Sequence, residues 1–193
     1  MAVIAVVAVV SGNGVRVNDI DGLTYVYIPA GTFAMGCSPG DRQCDPDEKL
    51  QPGQQVPGFW LGQTEVTQAA WAKTKRPNPS NFKGDQLPVE SVDWDQASDY
   101  CRTIGGRLPT AKEWEYAARA GTASARYGML DAIAWYSGNS GESPGDAHSL
   151  FIEEPVGRSA GRSGRLVDQS EFHRGCACSR QAAKSGATAP WTK

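Results

Sequence analysis

The chain is poor in the residues that hold metals and shuttle protons near neutral pH. Its 193 residues include two histidines, His148 and His173. There is no His-Glu-x-x-His pair and no Gly-rich loop ending in Gly-Lys-Ser/Thr, which removes the common zinc-hydrolase and P-loop nucleotide readings. Gly138-Asn139-Ser140-Gly141 has the outline of a nucleophile turn. A serine nucleophile needs a histidine base and an orienting carboxylate, and both histidines follow Ser140 in loop-like sequence. The longest apolar run, residues 1–10, is Met-Ala-Val-Ile-Ala-Val-Val-Ala-Val-Val. It falls well short of the roughly 20 residues that a membrane-spanning helix needs. It has neither a basic start nor a clear small-residue cleavage site. With Ser11-Gly12-Asn13-Gly14-Val15-Arg16-Val17 behind it, the segment reads as a strand and hairpin turn; a clipped export signal is the rival. No internal repeat is visible.

Charge is unevenly placed although the net is only -2. Residues 1–156 hold 12 basic and 19 acidic side chains, a balance of -7, and residues 157–193 hold 7 and 2, a balance of +5. A basic tail of this kind is either a solvated face or a contact for anionic polymers and lipids; the expectation here is the solvated face, with no specific nucleic acid. Of the large apolar residues, this tail has only Leu166, Val167, Phe172 and Trp191. Such a stretch buries too little surface to offset its ordering entropy. We therefore expect residues 157–193 to be disordered, an out-of-frame or truncated ending. Residues 1–20 form the apolar lead, and residues 21–156 form the folded domain.

Five cysteines, Cys37, Cys44, Cys101, Cys176 and Cys178, make an odd number that fits no closed disulfide framework. Cys37 and Cys44 bracket a Pro-Gly loop, where a small disulfide ring and two free thiols are both possible. Cys101 falls with Ala97, Tyr100 and Ile104 on the apolar side of a helix, the place of a buried, inert thiol. The compartment, exported or periplasmic or else cytoplasmic, stays open. The acidic loop with Asp41, Asp45, Asp47 and Glu48 is interrupted by Pro46, lacks the glycine of a calcium loop and reads as solvated.

What is present is strong local grammar. Thr67 and Asp93 open helices over about 67–74 and 93–104, the second stopping at Gly105-Gly106. The run Gly105-Gly106-Arg107-Leu108-Pro109-Thr110-Ala111-Lys112-Glu113-Trp114-Glu115-Tyr116-Ala117-Ala118-Arg119-Ala120-Gly121 contains a complete helix. Thr110 is the N-cap, Glu113 completes a capping box, and Gly121 stands where a left-handed C-cap belongs. Trp114, Ala117, Ala118 and Gly121 share a helical face. Arg107 and Arg119 are suited either to an anion or to helix-flanking ion pairs, the expected use.

That run resembles the signature of the formylglycine-generating enzymes, or sulfatase-modifying factors. Four further segments agree in order: Tyr25 to Gly36, Phe59 to Thr67, Asn78 to Gly84, and Leu87 to Trp94. The resemblance implies an α+β domain with the complex C-type-lectin-like fold. Its features are a small twisted antiparallel sheet, two to three helices and long ordered loops, here incomplete at the C-terminus. It also implies oxidation of a sulfatase cysteine to formylglycine, with dioxygen and with copper held by two cysteines. Thiolates suit Cu(I) because both are soft. After Glu154-Pro155-Val156-Gly157-Arg158 the family's Trp-Gly-Leu-Tyr motif and its Arg-Gly-Gly-Ser-Trp strand do not follow. Cys176 and Cys178 are the only catalytic candidates, in neighbours unlike the family's. Asn139 is the position to which the family's structural calcium carries over. The resemblance thus implies a protein substrate of sulfatase type, a monomer, and a chain that lacks recognisable catalytic cysteines. The alternative is a non-catalytic lectin-like module that binds protein or glycan. An iron-dependent thiol oxidase would need more histidine than the chain has.

Overall fold

Two aromatic-rich strands lie side by side at the centre of the domain. Thr24-Tyr25-Val26-Tyr27-Ile28 is a run of β-branched and aromatic residues, the composition that suits a pleated, packed surface. It forms β2 (Thr24–Ile28) and pairs antiparallel with β5 (Phe59–Gly62), Val26 opposite Leu61 and Ile28 opposite Phe59. The short edge strand β1 (Val15–Val17) lies against β2, and β6 (Ser179–Gln181) lies against β5. A second sheet is the long hairpin of β3 (Gly31–Met35) and β4 (Gln51–Val56), whose register shifts between Phe33 and Met35. The helices are α1 (Gln68–Lys73), α2 (Trp94–Thr103) and α3 (Ala111–Arg119). This computed structural model describes residues 14–42, 44, 48–123 and 178–181. Among them no helix is long and apolar enough to cross a membrane.

Alternation along β2 covers the sheet on both faces. Val26, Ile28, Phe59 and Leu61 point to one side and pack with Val56, Ala117, Phe33 and Tyr116, the side of α3 and the β3–β4 hairpin. Tyr25 points to the other and packs with Val66, Trp71, Val89, Tyr100 and Ile104. Trp71 and Tyr100 stack there with ring centroids 5.0 Å apart. A buried carboxylate sits beneath them. Asp21 accepts hydrogen bonds from the hydroxyls of Tyr25 (3.0 Å) and Tyr100 (3.2 Å) and from the Leu23 amide (2.9 Å). Burial outweighs these donors and raises its carboxyl above the usual range.

The helices begin where their caps predict. Thr67 accepts from the Ala70 amide at 3.2 Å, and Asp93 and Gln96 form a reciprocal capping box that opens α2.

Two expectations from sequence are corrected. Ala97, Tyr100, Cys101 and Ile104 are buried as the periodicity requires, but Cys101 is not a thiol. It is disulfide-bonded to Cys178, 77 residues on. A helix periodicity locates the buried face and carries no information about a partner so far along the chain. For the same reason residues 178–181, inside the stretch expected to be disordered, form the fourth strand of the main sheet. Ser179 is opposite Leu61, and Cys178 and Ser179 are buried. This short piece needs no apolar core of its own because it borrows the sheet's edge and a covalent tether. Cys37 and Cys44, left open between thiols and a ring, are joined as a disulfide across seven residues.

Closing a loop removes more entropy from the unfolded chain the longer the loop. The chain-entropy relation gives roughly 4.5 kcal/mol for the Cys101–Cys178 loop and roughly 2.5 kcal/mol for the Cys37–Cys44 loop. We predict that the double variant Cys101→Ala/Cys178→Ala loses more stability in urea denaturation than Cys37→Ser/Cys44→Ser does. Equal losses would mean that the long cross-link adds nothing beyond its local contacts.

Candidate functional site

Where helix α3 meets the sheets, two carboxylate–guanidinium pairs come together. The α3 N-terminus is built as a clasp. Thr110 accepts from the Glu113 amide at 3.2 Å, and the Glu113 carboxylate accepts from the Thr110 amide at 2.9 Å and its hydroxyl at 3.0 Å. The same carboxylate takes both ends of the Arg107 guanidinium, at 2.7 and 2.6 Å. Burial pushes the Glu113 carboxyl up, but hydrogen bonds from Arg107 and Thr110 and the Arg107 charge outweigh it and hold it below its ordinary value. Arg107 also reaches Ser179 Oγ at 3.1 Å. Its backbone exchanges two hydrogen bonds with Ser179, 2.9 and 2.7 Å.

The C-terminal half of α3 buries a second pair. Glu115 Oε1 accepts from Arg119 Nε at 2.8 Å and Nη2 at 2.6 Å, and from the Gly36 amide at 2.8 Å. Arg119 also donates to Ser38 Oγ at 2.6 Å and to the Gly36 carbonyl at 2.7 Å. Gly36 has φ of 92°, and a Cβ there would lie 2.6 Å from the Lys49 carbonyl. Only glycine lets the β3 end turn back onto this pair.

The face of α3 therefore differs from the apolar stripe that its sequence suggests. Glu113, Glu115, Ala117, Ala118 and Arg119 are buried, Trp114 is half-buried and Gly121 is exposed. The left-handed C-cap is Ala120, φ 46° and ψ 37°, with Gly121 also at positive φ just beyond. Each buried charge is matched by an opposite one on the same helix or its entry loop, so the helix can turn a charged face inward. Thr110 and Glu113 cap as expected, and Arg107 and Arg119 form ion pairs rather than an anion site. Adjacent to the second pair is a cavity of about 360 Å3 between β3 and α3. Its walls include Phe33, Leu50, Tyr116, Arg119 and Thr122.

Of the sequence candidates for chemistry, Cys178 lies near Arg107, its sulfur bonded to Cys101. Cys176 and Asn139 lie outside the described residues. Sequence reasoning expected an ion pair for Arg119 but missed that its partner is Glu115 and that the pair is buried. Their four-residue spacing was a usable signal, hidden by the assumption that α3 turns alanines and tryptophan to the core. Among the described residues no three His, Cys, Asp or Glu side chains are grouped to hold a metal.

Two expected outcomes follow from the clasp and the buried pair. The Glu113 carboxyl is depressed in the folded state, so it adds stability above its unfolded value near 4.5, and that stability is lost as pH falls through the folded value. Glu113→Gln should be less stable than wild type at pH 7. The gap should narrow as urea midpoints are measured at successively lower pH, below about 4.5. Arg119→Met leaves Glu115 buried and unpaired, and should cost about 3 kcal/mol in the same assay. A loss below about 1 kcal/mol would show that the pair is dispensable.

The comparisons with known proteins agree with this architecture. The family model described as "Sulfatase-modifying factor enzyme 1-like domain" matches residues 16–161. The chain is 32% identical over 164 aligned residues to "Chaperone protein LppX" of Paenibacillus barcinonensis, covering 58% of this chain and 59% of that protein. It is 52% identical over 75 residues to the formylglycine-generating enzyme of Streptomyces coelicolor, 39% of this chain and 23% of the enzyme. It thus spans less than two thirds of either relative. Among solved structures, PvdO from Pseudomonas aeruginosa superposes with a TM-score of 0.60 at 18% identity, covering 89% of this chain and 100% of that one. The sheet, three helices and long loops are the C-type-lectin-like fold of these proteins, and the chain belongs to the sulfatase-modifying factor (formylglycine-generating enzyme) family.

Proposed function

We propose that this chain is a member of the family that does not oxidise a sulfatase cysteine to formylglycine, and that it acts by binding a polypeptide partner. The observation that carries the reading is the Cys101–Cys178 bond. A pair of cysteines holds Cu(I) as thiolates, because the soft metal needs the sulfur lone pairs and charge. In Cys176-Ala177-Cys178 the second sulfur is already committed to Cys101, and both Cys101 and Cys178 are buried. The described residues therefore do not fit the copper site that the family implies. Asn139, the carried-over calcium position, lies outside the described residues.

A binding role has support from the likeness to a protein named as a chaperone, with fold and function kept separate. In this reading α3 is a support. Its two ion pairs fix Arg107 against β6 and tie Gly36 of the hairpin to α3, so the surrounding loops are presented from a stiff base. Two disulfides favour an oxidising compartment and so an exported protein.

The test uses the full chain with a Cys-x-Pro-x-Arg peptide, supplied copper and dioxygen. We expect no aldehyde above the enzyme-free background, and saturable binding of the labelled peptide by fluorescence anisotropy. Clear turnover sinks the non-oxidising reading; absence of binding sinks the polypeptide partner.

A further inference from the structure

The two disulfides differ in where they lie. Cys101 and Cys178 are 0 and 1% exposed and sit inside the main core. Cys37 and Cys44 are both half-buried, partly open to solvent at the mouth of the β3–β4 hairpin. Thiol–disulfide exchange requires a thiolate to approach one sulfur of the bond, so access decides which bond reacts first. In the loop that the second bond closes, Pro39, Gly40 and Arg42 are exposed, the Asp41 amide donates to the Ser38 carbonyl at 3.0 Å, and the Ser38 hydroxyl accepts from Arg119.

The attachment of that loop gives the bond a structural consequence. Cys37 is flanked by Gly36, whose amide and carbonyl engage Glu115 and Arg119, and by Ser38, whose hydroxyl accepts from Arg119. Ser38 and Pro39 are also part of the wall of the cavity between β3 and α3. Whatever loosens Cys37 therefore acts on the cavity wall and on the buried guanidinium together.

We infer that the Cys37–Cys44 disulfide is a thiol-sensitive latch on this cavity wall, opened by a dithiol while Cys101–Cys178 stays closed. In the step, one thiolate of the dithiol attacks a latch sulfur and the other cysteine leaves as thiolate. The second thiol of the reagent then closes on the mixed disulfide and releases the first cysteine. Two electrons pass to the protein, the dithiol becomes its own cyclic disulfide, and two protons end on Cys37 and Cys44. Arg119 keeps Glu115 and the Gly36 carbonyl, so the opening is local and α3 stays in place. The latch does not depend on whether the chain oxidises a peptide, and its failure would leave the family assignment and the binding proposal untouched.

The experiment treats the native full chain with graded dithiothreitol at pH 8, traps thiols with iodoacetamide and maps them by mass spectrometry. Hydrogen exchange is followed on peptides covering residues 36–42 and on α3. Cys37 and Cys44 should be alkylated at least about tenfold faster than Cys101 and Cys178. Exchange should rise at residues 36–42, and α3 should stay protected. The Cys37→Ser/Cys44→Ser variant should show the raised exchange without reductant and no further response to it. Equal or reversed alkylation rates, no alkylation short of unfolding, or alkylation with unchanged exchange at residues 36–42 would each overturn the latch.

Discussion

Arg107 is the point on which the described fold depends. Its backbone pairs with Ser179, its guanidinium holds the Glu113 carboxylate through two hydrogen bonds, and it also reaches the Ser179 hydroxyl. One residue thereby joins the loop after α2, the first turn of α3 and the last strand of the sheet. The Cys101–Cys178 bond fixes the same junction covalently from the side of α2. Three residues cannot hold a strand by themselves, because a strand's ladder bonds are individually worth only about 1 kcal/mol net. Side-chain, backbone and covalent ties converge on β6 and make it a stable edge. The sheet then has the width to separate two cores.

The cost of this arrangement is charge in the interior. Burying a carboxylate requires a partner and filled hydrogen-bonding sites. Glu113 and Glu115 meet that requirement in different ways. Glu113 is both cap and ion-pair acceptor, so the same carboxylate accepts from the Thr110 amide at the helix start and from the Arg107 guanidinium. Glu115 takes its guanidinium from the next turn and the Gly36 amide from the hairpin. Small residues at 117 and 118 let α3 approach the sheet closely enough for these contacts. Asp21 follows the same logic on the opposite face with two tyrosine hydroxyls, where burial leaves its carboxyl raised rather than depressed.

For function, the consequence lies in how sulfur is used. In the described residues four cysteines act as structure, two in the core and two at a loop. The family's chemistry needs reactive thiolates. A sulfur locked in the core of the α2–β6 junction supports architecture, which is why the binding reading rests on that bond rather than on loop sequence.

Local sequence determined the parts of this protein governed by nearby residues. The caps at Thr67, Asp93 and Thr110, the helices they open, the buried side of α2 and the aromatic strand at residues 24–28 are all set by interactions a few positions apart. The ordered motifs likewise made the family legible. What only the tertiary structure decided spans long separations: Cys178 finding Cys101, Ser179 finding Arg107, and Gly36 receiving Arg119. Periodicity could place Ala117 and Ala118 inward, but it could not show that Glu115 and Arg119 would follow them, because burying that pair also takes hydrogen-bond partners, Gly36 and Ser38, supplied from elsewhere in the fold. The helix was written in residues 110–121; the reason its charged face is tolerated inside lies in residues 36, 38 and 179.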